Sequence, residues 1–76
     1  METVTMSAPV QSDIDNWFTY HKPTETTIPK YEAIRGAGKV FALALMEHCP
    51  AGPDRTVAIR KVREAVMTAN QAVACS

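Results

Sequence analysis

The 76-residue sequence lacks an excess of charge of either sign, because eight basic and eight acidic side chains give a formal net charge of zero. Proteins that adhere to duplex DNA need a positive face that neutralises several phosphates, so we expect no duplex nucleic acid partner. A small anionic ligand is compatible with this charge balance, because it needs only two or three well-placed cations. No apolar run approaches the roughly 20 residues that span a bilayer, so no membrane partner is expected.

Cysteine is scarce, and the two that are present fall at the far ends of the expected helices. Cys49 ends one long helix and Cys75 ends the other. In an antiparallel hairpin of about 20 residues per helix these ends are roughly 30 Å apart, whereas a disulfide needs Cα atoms within about 7 Å. We therefore expect no intrachain disulfide. No Cys, His and acidic cluster has metal-ligand spacing, so no metal and no cofactor are expected.

Signatures of catalysis are missing as well. The sequence has no Gly-rich phosphate loop, no HExxH and no CxxC motif, and neither cysteine lies in an obvious nucleophile setting. His21 and His48 are solitary, and each is more simply a capping or surface residue. We predict that the protein is not an enzyme and that its function is binding.

The N-terminal segment METVTMSAPVQ has neither the basic n-region nor the apolar h-region of a signal peptide. It shows no sustained hydrophobic period. We expect residues 1–11 to form a flexible tail and residues 12–76 to form one domain, with the cytoplasm as the default compartment.

Hydrophobic periodicity is the strongest signal that the sequence does contain. Residues 30–49 carry an apolar stripe at spacings of three and four, which is typical of an amphipathic helix. The stripe consists of Tyr31, Ile34, Gly38, Phe41, Leu45 and Cys49. Residues 54–74 have a matching stripe of Ile59, Val62, Val66, Ala69 and Val73. Because Pro50, Gly52 and Pro53 separate the two segments, they predict an antiparallel helical hairpin.

A short helix is predicted before the hairpin. Ser12 can cap its start, and Pro23 stops it near Tyr20 or His21. Two turns of helix are unstable alone, so we expect it to dock through one apolar face. That face consists of Ile14, Trp17 and Phe18. The predicted fold class is therefore all-α, with a short N-terminal helix laid across a hairpin of two long helices.

One hairpin cannot bury all of the apolar side chains. Those left over after the two stripes have paired are Val40, Leu43, Ala44, Met46, Val57 and Met67. Leaving apolar surface in water costs roughly 25 cal/mol per Å², and contiguous exposed patches usually mark interfaces. The sequence therefore predicts a homo-oligomer.

Two groups of residues could form a ligand site. Tyr20, His21 and Lys22 follow the short helix, while Arg35 and Lys39 lie one turn apart on the first long helix. Bases stack on aromatic rings, and Arg and Lys bind phosphates. If the short helix folds back along the long one, the two groups would suit a nucleotide. A solvated charged face explains the two cations equally well.

Two glycines lie beside those cations. Gly36 and Gly38 each cost about 1 kcal/mol relative to alanine inside a helix. They suggest a bend, or a surface that another backbone or a flat ligand approaches closely. Tolerated weak spots are an alternative. Next to Arg35 and Lys39, the interpretation that gives the glycines a function is that they clear space for a flat ring system.

Five segments, taken in order, resemble a known family. They are residues 17–21 (WFTYH), 30–35 (KYEAIR), 37–42 (AGKVFA), 49–54 (CPAGPD) and 63–74 (REAVMTANQAVA). Together they resemble the small phage proteins that counter CBASS immunity, the anti-CBASS cyclic-oligonucleotide sponges, which share the anti-CBASS/anti-Thoeris hairpin domain. The resemblance covers about residues 16–76.

The resemblance implies a homohexamer that binds cyclic di- and trinucleotides without cleaving them, in the cytoplasm of the infected bacterial host. It implies a dinucleotide between paired subunits, with Tyr20 stacked on a base and Arg35, where a lysine is expected, on a phosphate. His21, Lys39 and Gly36 would complete that site. A separate trinucleotide site near the end of the last helix would use Thr68, Asn70 and Ser76, without the basic residue expected close to the C-terminus.

A second interpretation stays open beside this one. The protein could be a homo-oligomeric helical adaptor that offers its surface to a host protein. Such an adaptor would capture that partner and would bind no cyclic nucleotide.

Overall fold

The computed structural model describes residues 10–76, and over this range the chain is all-helical, with no strand. Helix α1 spans Gln11–Trp17, α2 spans Ile28–His48 and α3 spans Pro53–Ala74. Helices α2 and α3 pack against each other along their length, joined by a short turn. The predicted all-α hairpin is confirmed. Residues 1–9 of the predicted N-terminal tail lie outside the described residues.

The boundaries of the hairpin helices follow from proline chemistry. Thr27 occupies the N-cap position of α2 and Pro29 lies in its first turn. Proline is tolerated there because the first N–H groups of a helix have no internal partner. Helix α2 ends one residue before Cys49, and α3 begins at Pro53, with Asp54 in its first turn.

Helix α1 is shorter than the sequence predicted and starts two residues earlier. Val10, not Ser12, takes the N-cap position, and its N–H donates to Asp13 Oδ2 at 3.1 Å. The helix ends at Trp17 instead of near Tyr20 or His21.

Side chains take over the carbonyls that another turn of α1 would need. The Thr19 hydroxyl donates to the Asp15 carbonyl, and the His21 ring Nε2–H donates to the Asn16 carbonyl at 2.7 Å. In a longer helix these carbonyls would accept the backbone N–H groups of residues 19 and 20. Such local side-chain bonds compete with helix formation, and here they end α1.

The expected apolar docking of α1 through Ile14, Trp17 and Phe18 was wrong. Phe18 is 85% exposed, and both Ile14 and Trp17 are also classed as exposed. Instead, α1 is held at the C-terminal end of α3 by polar hydrogen bonds, which are described with the site below. The short helix therefore lies at one end of the hairpin and is not a central layer of its core.

Gly38 of α2 and Val62 and Val66 of α3 form the closest part of the hairpin contact. Val62 is the one buried hydrophobic residue among residues 10–76. A Cβ atom placed on Gly38 would lie 2.5 Å from Cγ2 of Val66. Gly38 is therefore a packing glycine.

Two grooves run on either side of this contact. The first, which we call the apolar groove, has a volume of about 540 Å³. Apart from the three contact residues, it is lined by Ile34, Ala37, Phe41, Leu45, Ala58, Lys61, Ala65 and Ala69. Phe41, expected to hold the hairpin together, is 57% exposed on the wall of this groove. One chain alone therefore leaves much of its apolar stripe uncovered.

Candidate functional site

The predicted ligand-binding run after α1 lines a polar pocket, which we call the aromatic pocket. Its volume is about 440 Å³. The side chains around it include two tyrosine rings, two lysines and several hydroxyls, and they come from the α1–α2 connection, the first turn of α2 and the end of α3. The lining residues are Tyr20, His21, Lys22, Thr24, Thr26, Thr27, Lys30, Tyr31, Val73, Ala74 and Ser76.

A network of hydrogen bonds fixes the wall of this pocket to the end of α3. The Asn16 side chain donates to the Cys75 carbonyl at 3.0 Å, and the Gln71 side chain donates to the Trp17 carbonyl at 3.2 Å. The last carbonyls of a helix have no partner within it, so Asn16 also caps α3. We call Asn16, Trp17, His21, Gln71 and Cys75 the C-terminal clip.

The clip places His21 close to Cys75, with Sγ 3.8 Å from the ring Nε2. Because the same Nε2 donates to the Asn16 carbonyl, the bonds of His21 close a tight loop of six residues. Tyr20, which lies inside that loop, is 82% exposed. Its ring is therefore presented to solvent from a segment whose backbone is held in place.

A threonine turn forms the floor between the clip and α2. The Thr24 N–H donates to the Thr27 hydroxyl at 2.8 Å, and the Thr27 N–H bonds back to the Thr24 hydroxyl at 3.2 Å. This reciprocal pair starts α2 at Ile28 and brings Lys30 and Tyr31 of its first turn to the pocket. Tyr31, expected in the core, is half-buried on the pocket wall.

Arg35 and Lys39 lie in a different place, on the second groove beside the hairpin contact. This groove, which we call the cationic groove, has a volume of about 290 Å³. It is lined by Arg35, Gly38, Lys39, Ala42, Ile59, Val62, Arg63, Val66 and Met67. Helix α1 does not fold back along α2, so within one chain the predicted aromatic and basic groups line separate pockets.

The remaining predicted site residues are also divided. Ser76 joins Tyr20 and His21 on the aromatic pocket, whereas Thr68 lines a small cleft beside Trp17. The Asn70 side-chain oxygen is buried and has no hydrogen-bond partner within residues 10–76. Space around Gly36 is open, since a Cβ there would meet nothing within 4 Å. Thr68, Asn70 and Ser76 therefore do not converge on one pocket in a single chain.

Sequence reasoning missed three residues that the structure places beside the predicted ones. Lys30 and Tyr31 lie on the aromatic pocket, and Arg63 lies on the cationic groove. Helical spacing contained part of this signal, because Tyr31 is one turn before Arg35 on α2. The position of Arg63 could be found only from the register of α3 against α2.

We predict that the Gln71–Trp17 bond holds α1 in place. Gln71→Met keeps the length of the side chain but removes the N–H donor, so α1 is held to α3 by fewer bonds and should become more mobile. The chain has one tryptophan, so acrylamide quenching of fluorescence reports on α1 alone. Quenching should increase, while the free energy of unfolding falls by about 1 kcal/mol.

Gln71→Lys serves as the control for this variant. It keeps an N–H donor, and its positive charge suits a helix C-terminus, so quenching should stay near that of the wild type. Equal quenching in Gln71→Met and the wild type would show that the clip does not depend on this bond.

The fold and the two pockets together define the class of protein. The protein is a small helical hairpin with two open pockets that combine cations with aromatic or apolar surface. Among residues 10–76, no His, Cys, Asp and Glu side chains group together as metal ligands, and no helix is both long and apolar enough to cross a membrane.

Comparison with known protein families identifies the family. A family model described as "Acb2/Tad1, hairpin domain" matches residues 11–74, which is most of the chain. The chain therefore belongs to this family, the anti-CBASS/anti-Thoeris sponges, and the predicted resemblance is confirmed. Searches of curated proteins and of solved structures gave no match.

Proposed function

We propose that this protein is a phage anti-defence sponge that binds cyclic oligonucleotides without cleaving them, in the cytoplasm of an infected bacterial cell. Membership of the Acb2/Tad1 hairpin family supports the sponge role. The observation that carries the ligand class is the aromatic pocket, where Tyr20 and Tyr31 lie with Lys22 and Lys30. Rings stack on bases and ammonium groups bind phosphates, so this pocket combines both requirements of a nucleotide.

The ligand would lie between subunits of a homohexamer in this proposal. Tyr20 and Arg35 line different pockets of one chain, and both pockets are open to solvent. A neighbouring subunit could therefore bring its Arg35 and Lys39 to the Tyr20 of the first. A two-fold interface presents the same residues twice, which matches the internal symmetry of a cyclic dinucleotide.

Sequestration fits the chemistry of the proposed site. A sponge needs tight binding, and the lysine, tyrosine and threonine side chains of the aromatic pocket supply contacts for it. The immune effector is then not activated, because the free messenger concentration falls. The released ligand should therefore be chemically intact.

The first test is calorimetry with a panel of cyclic di-AMP, cyclic di-GMP, cyclic GMP–AMP and cyclic tri-AMP. We expect at least one to bind with saturation, and mass spectrometry after denaturation should recover it unchanged. Tyr20→Ala should weaken dinucleotide binding by roughly tenfold to a hundredfold, as expected for loss of one stacked base at 1–3 kcal/mol. Arg35→Ala should weaken it to a similar extent, since charge-assisted hydrogen bonds contribute roughly 1.5–3 kcal/mol.

Controls separate binding from folding in this experiment. Tyr20→Phe keeps the ring and should bind nearly as the wild type does. Light scattering should give the same oligomer for all variants. A wild-type protein that binds no member of the panel would refute the proposed ligand class, and recovery of linear products would refute sequestration without cleavage.

The alternative of a homo-oligomeric helical adaptor has one observation in its favour. Large apolar side chains are exposed on α2, with Phe41 and Leu43 both more than half exposed. If these side chains received a host protein, the purified protein would bind no cyclic nucleotide and would co-purify with one defined partner. The panel and a pull-down from the same cells distinguish the two functions.

A further inference from the structure

We propose that Arg63 of α3 binds a phosphate of the ligand, opposite Arg35 and Lys39 of α2. The floor of the cationic groove then receives a flat base of the same ligand. This inference rests on the proposed function and deepens it, because it assigns a role to α3 and to a groove that lies apart from the aromatic pocket. The ligand class is a cyclic oligonucleotide with at least one phosphate per base.

Charge is the first argument. Three basic residues line the cationic groove through the apolar parts of their side chains, and no acidic residue lines it. Arg35, Lys39 and Arg63 are all exposed, and none of them forms an ion pair within residues 10–76. Exposed like charges around one groove raise the local positive potential, which attracts an anion.

The apolar floor is the second argument. Between the cations the groove is formed by aliphatic side chains, including Ala42, Ile59 and Met67. Met67 is 61% exposed, and a thioether is a flexible, polarizable surface that adapts to aromatic rings. An inorganic anion would gain nothing from this floor. A base linked to a phosphate would use both the floor and the rim.

The origin of the cations is the third argument. Arg35 and Lys39 are one turn apart on α2, whereas Arg63 comes from α3. A phosphate over the groove would therefore be approached from two helices. Guanidinium groups bind phosphate through two parallel N–H donors, so Arg63 adds a directional contact that a second lysine would not supply.

The test compares Arg63→Gln with the wild type, using the dinucleotide of the panel that binds most tightly. We expect affinity to fall roughly tenfold to a hundredfold, as for loss of a charge-assisted hydrogen bond. The affinity of Arg63→Lys should lie between the affinities of Arg63→Gln and the wild type. The salt dependence of affinity should also be shallower in Arg63→Gln, because one charge contact is missing.

Arg60→Gln is the matched control, since it removes the same charge from the same helix at an exposed position that does not line the groove. It should keep nearly the wild-type affinity. Combining Arg63→Gln with Arg35→Gln should give less than the sum of the two single losses in free energy, because neighbouring contacts to one phosphate are coupled.

Three outcomes would overturn the inference. Arg63→Gln could bind as the wild type does, Arg60→Gln could lose as much affinity as Arg63→Gln, or light scattering could show that Arg63→Gln has lost the oligomer. If the wild type binds no member of the panel, the proposed function fails. NMR titration with inorganic pyrophosphate then tests separately whether the cationic groove binds an anion. Shifts at the Arg63 Nε–H would support an anion site, and their absence would refute it.

Discussion

Gly38→Leu is expected to lower the melting temperature of the protein by roughly 5–10 °C, after the better helix propensity of leucine has offset about 0.8 kcal/mol of the packing cost. A Cβ at this position would lie 2.5 Å from Cγ2 of Val66, so the new side chain must push α2 away from α3. Overpacking of this kind typically costs about 1–3 kcal/mol. In a domain of this size each 1 kcal/mol corresponds to about 4–8 °C. The position is sensitive because Gly38 lies beside Val62, the one buried hydrophobic residue among residues 10–76.

Gly36→Leu is the matched control, with the same change on the same helix two residues away. A Cβ on Gly36 meets nothing within 4 Å, and leucine favours a helix over glycine by about 0.8 kcal/mol. The melting temperature should therefore rise by a few degrees. Thermal unfolding followed by circular dichroism measures both variants. Similar changes in the two variants would contradict the packing role assigned to Gly38.

The same pair tests the ligand hypothesis for Gly36. This glycine lies next to Arg35 on α2, and its surroundings are open, as a surface that a flat ring approaches would be. We expect Gly36→Leu to weaken dinucleotide binding although the fold becomes more stable. Unchanged binding would remove Gly36 from the proposed site.

The glycine pair shows how far helical periodicity could predict this structure. Gly38 continues the spacing of Ile34 and Phe41, so its place on the stripe was a signal of packing. Gly36 falls about 200° away from Gly38 around the helix, at 100° per residue, and so points elsewhere. The sequence therefore contained the distinction, although adjacency to the cations suggested one role for both.

The hairpin was predictable because its signals are local and periodic. Proline at residues 50 and 53 ends one helix and begins the next, and the apolar spacing of α2 and α3 determines which faces meet. The place of α1 was not predictable in this way. It depends on hydrogen bonds of Asn16 and Gln71 with backbone groups that are more than 50 residues away in sequence, and such bonds leave no pattern in the sequence.

The candidate site was predicted in its residue types and missed in its arrangement. Tyr20 and His21 do line a pocket, and Arg35 and Lys39 do line a groove. They do not meet within one chain, because α1 ends at Trp17 and its connection crosses the end of α3. This separation is the physical reason for proposing that a second subunit completes the site.

Phe41→Glu is expected to dissociate the proposed homo-oligomer and leave a poorly folded chain. Phe41 is 57% exposed on the apolar groove, and covering this exposed part contributes about 1–2 kcal/mol per subunit. A buried, unpaired carboxylate would cost more than that. Val10→Glu is the control, because Val10 is also 57% exposed but lies outside the groove. Sedimentation velocity should show the wild type and Val10→Glu as the same oligomer and Phe41→Glu as a smaller species.

The dependence of the melting temperature on protein concentration tests the same proposal independently. If partner subunits cover the apolar groove, folding and association are linked, and the melting temperature of the wild type must rise with protein concentration. A domain of this size is marginal without such help, so the slope should be large. Phe41→Glu should melt at a low temperature that does not depend on concentration. A wild-type protein that is a stable monomer at micromolar concentration, with one melting temperature throughout, would refute the assembly and, with it, a site shared between subunits.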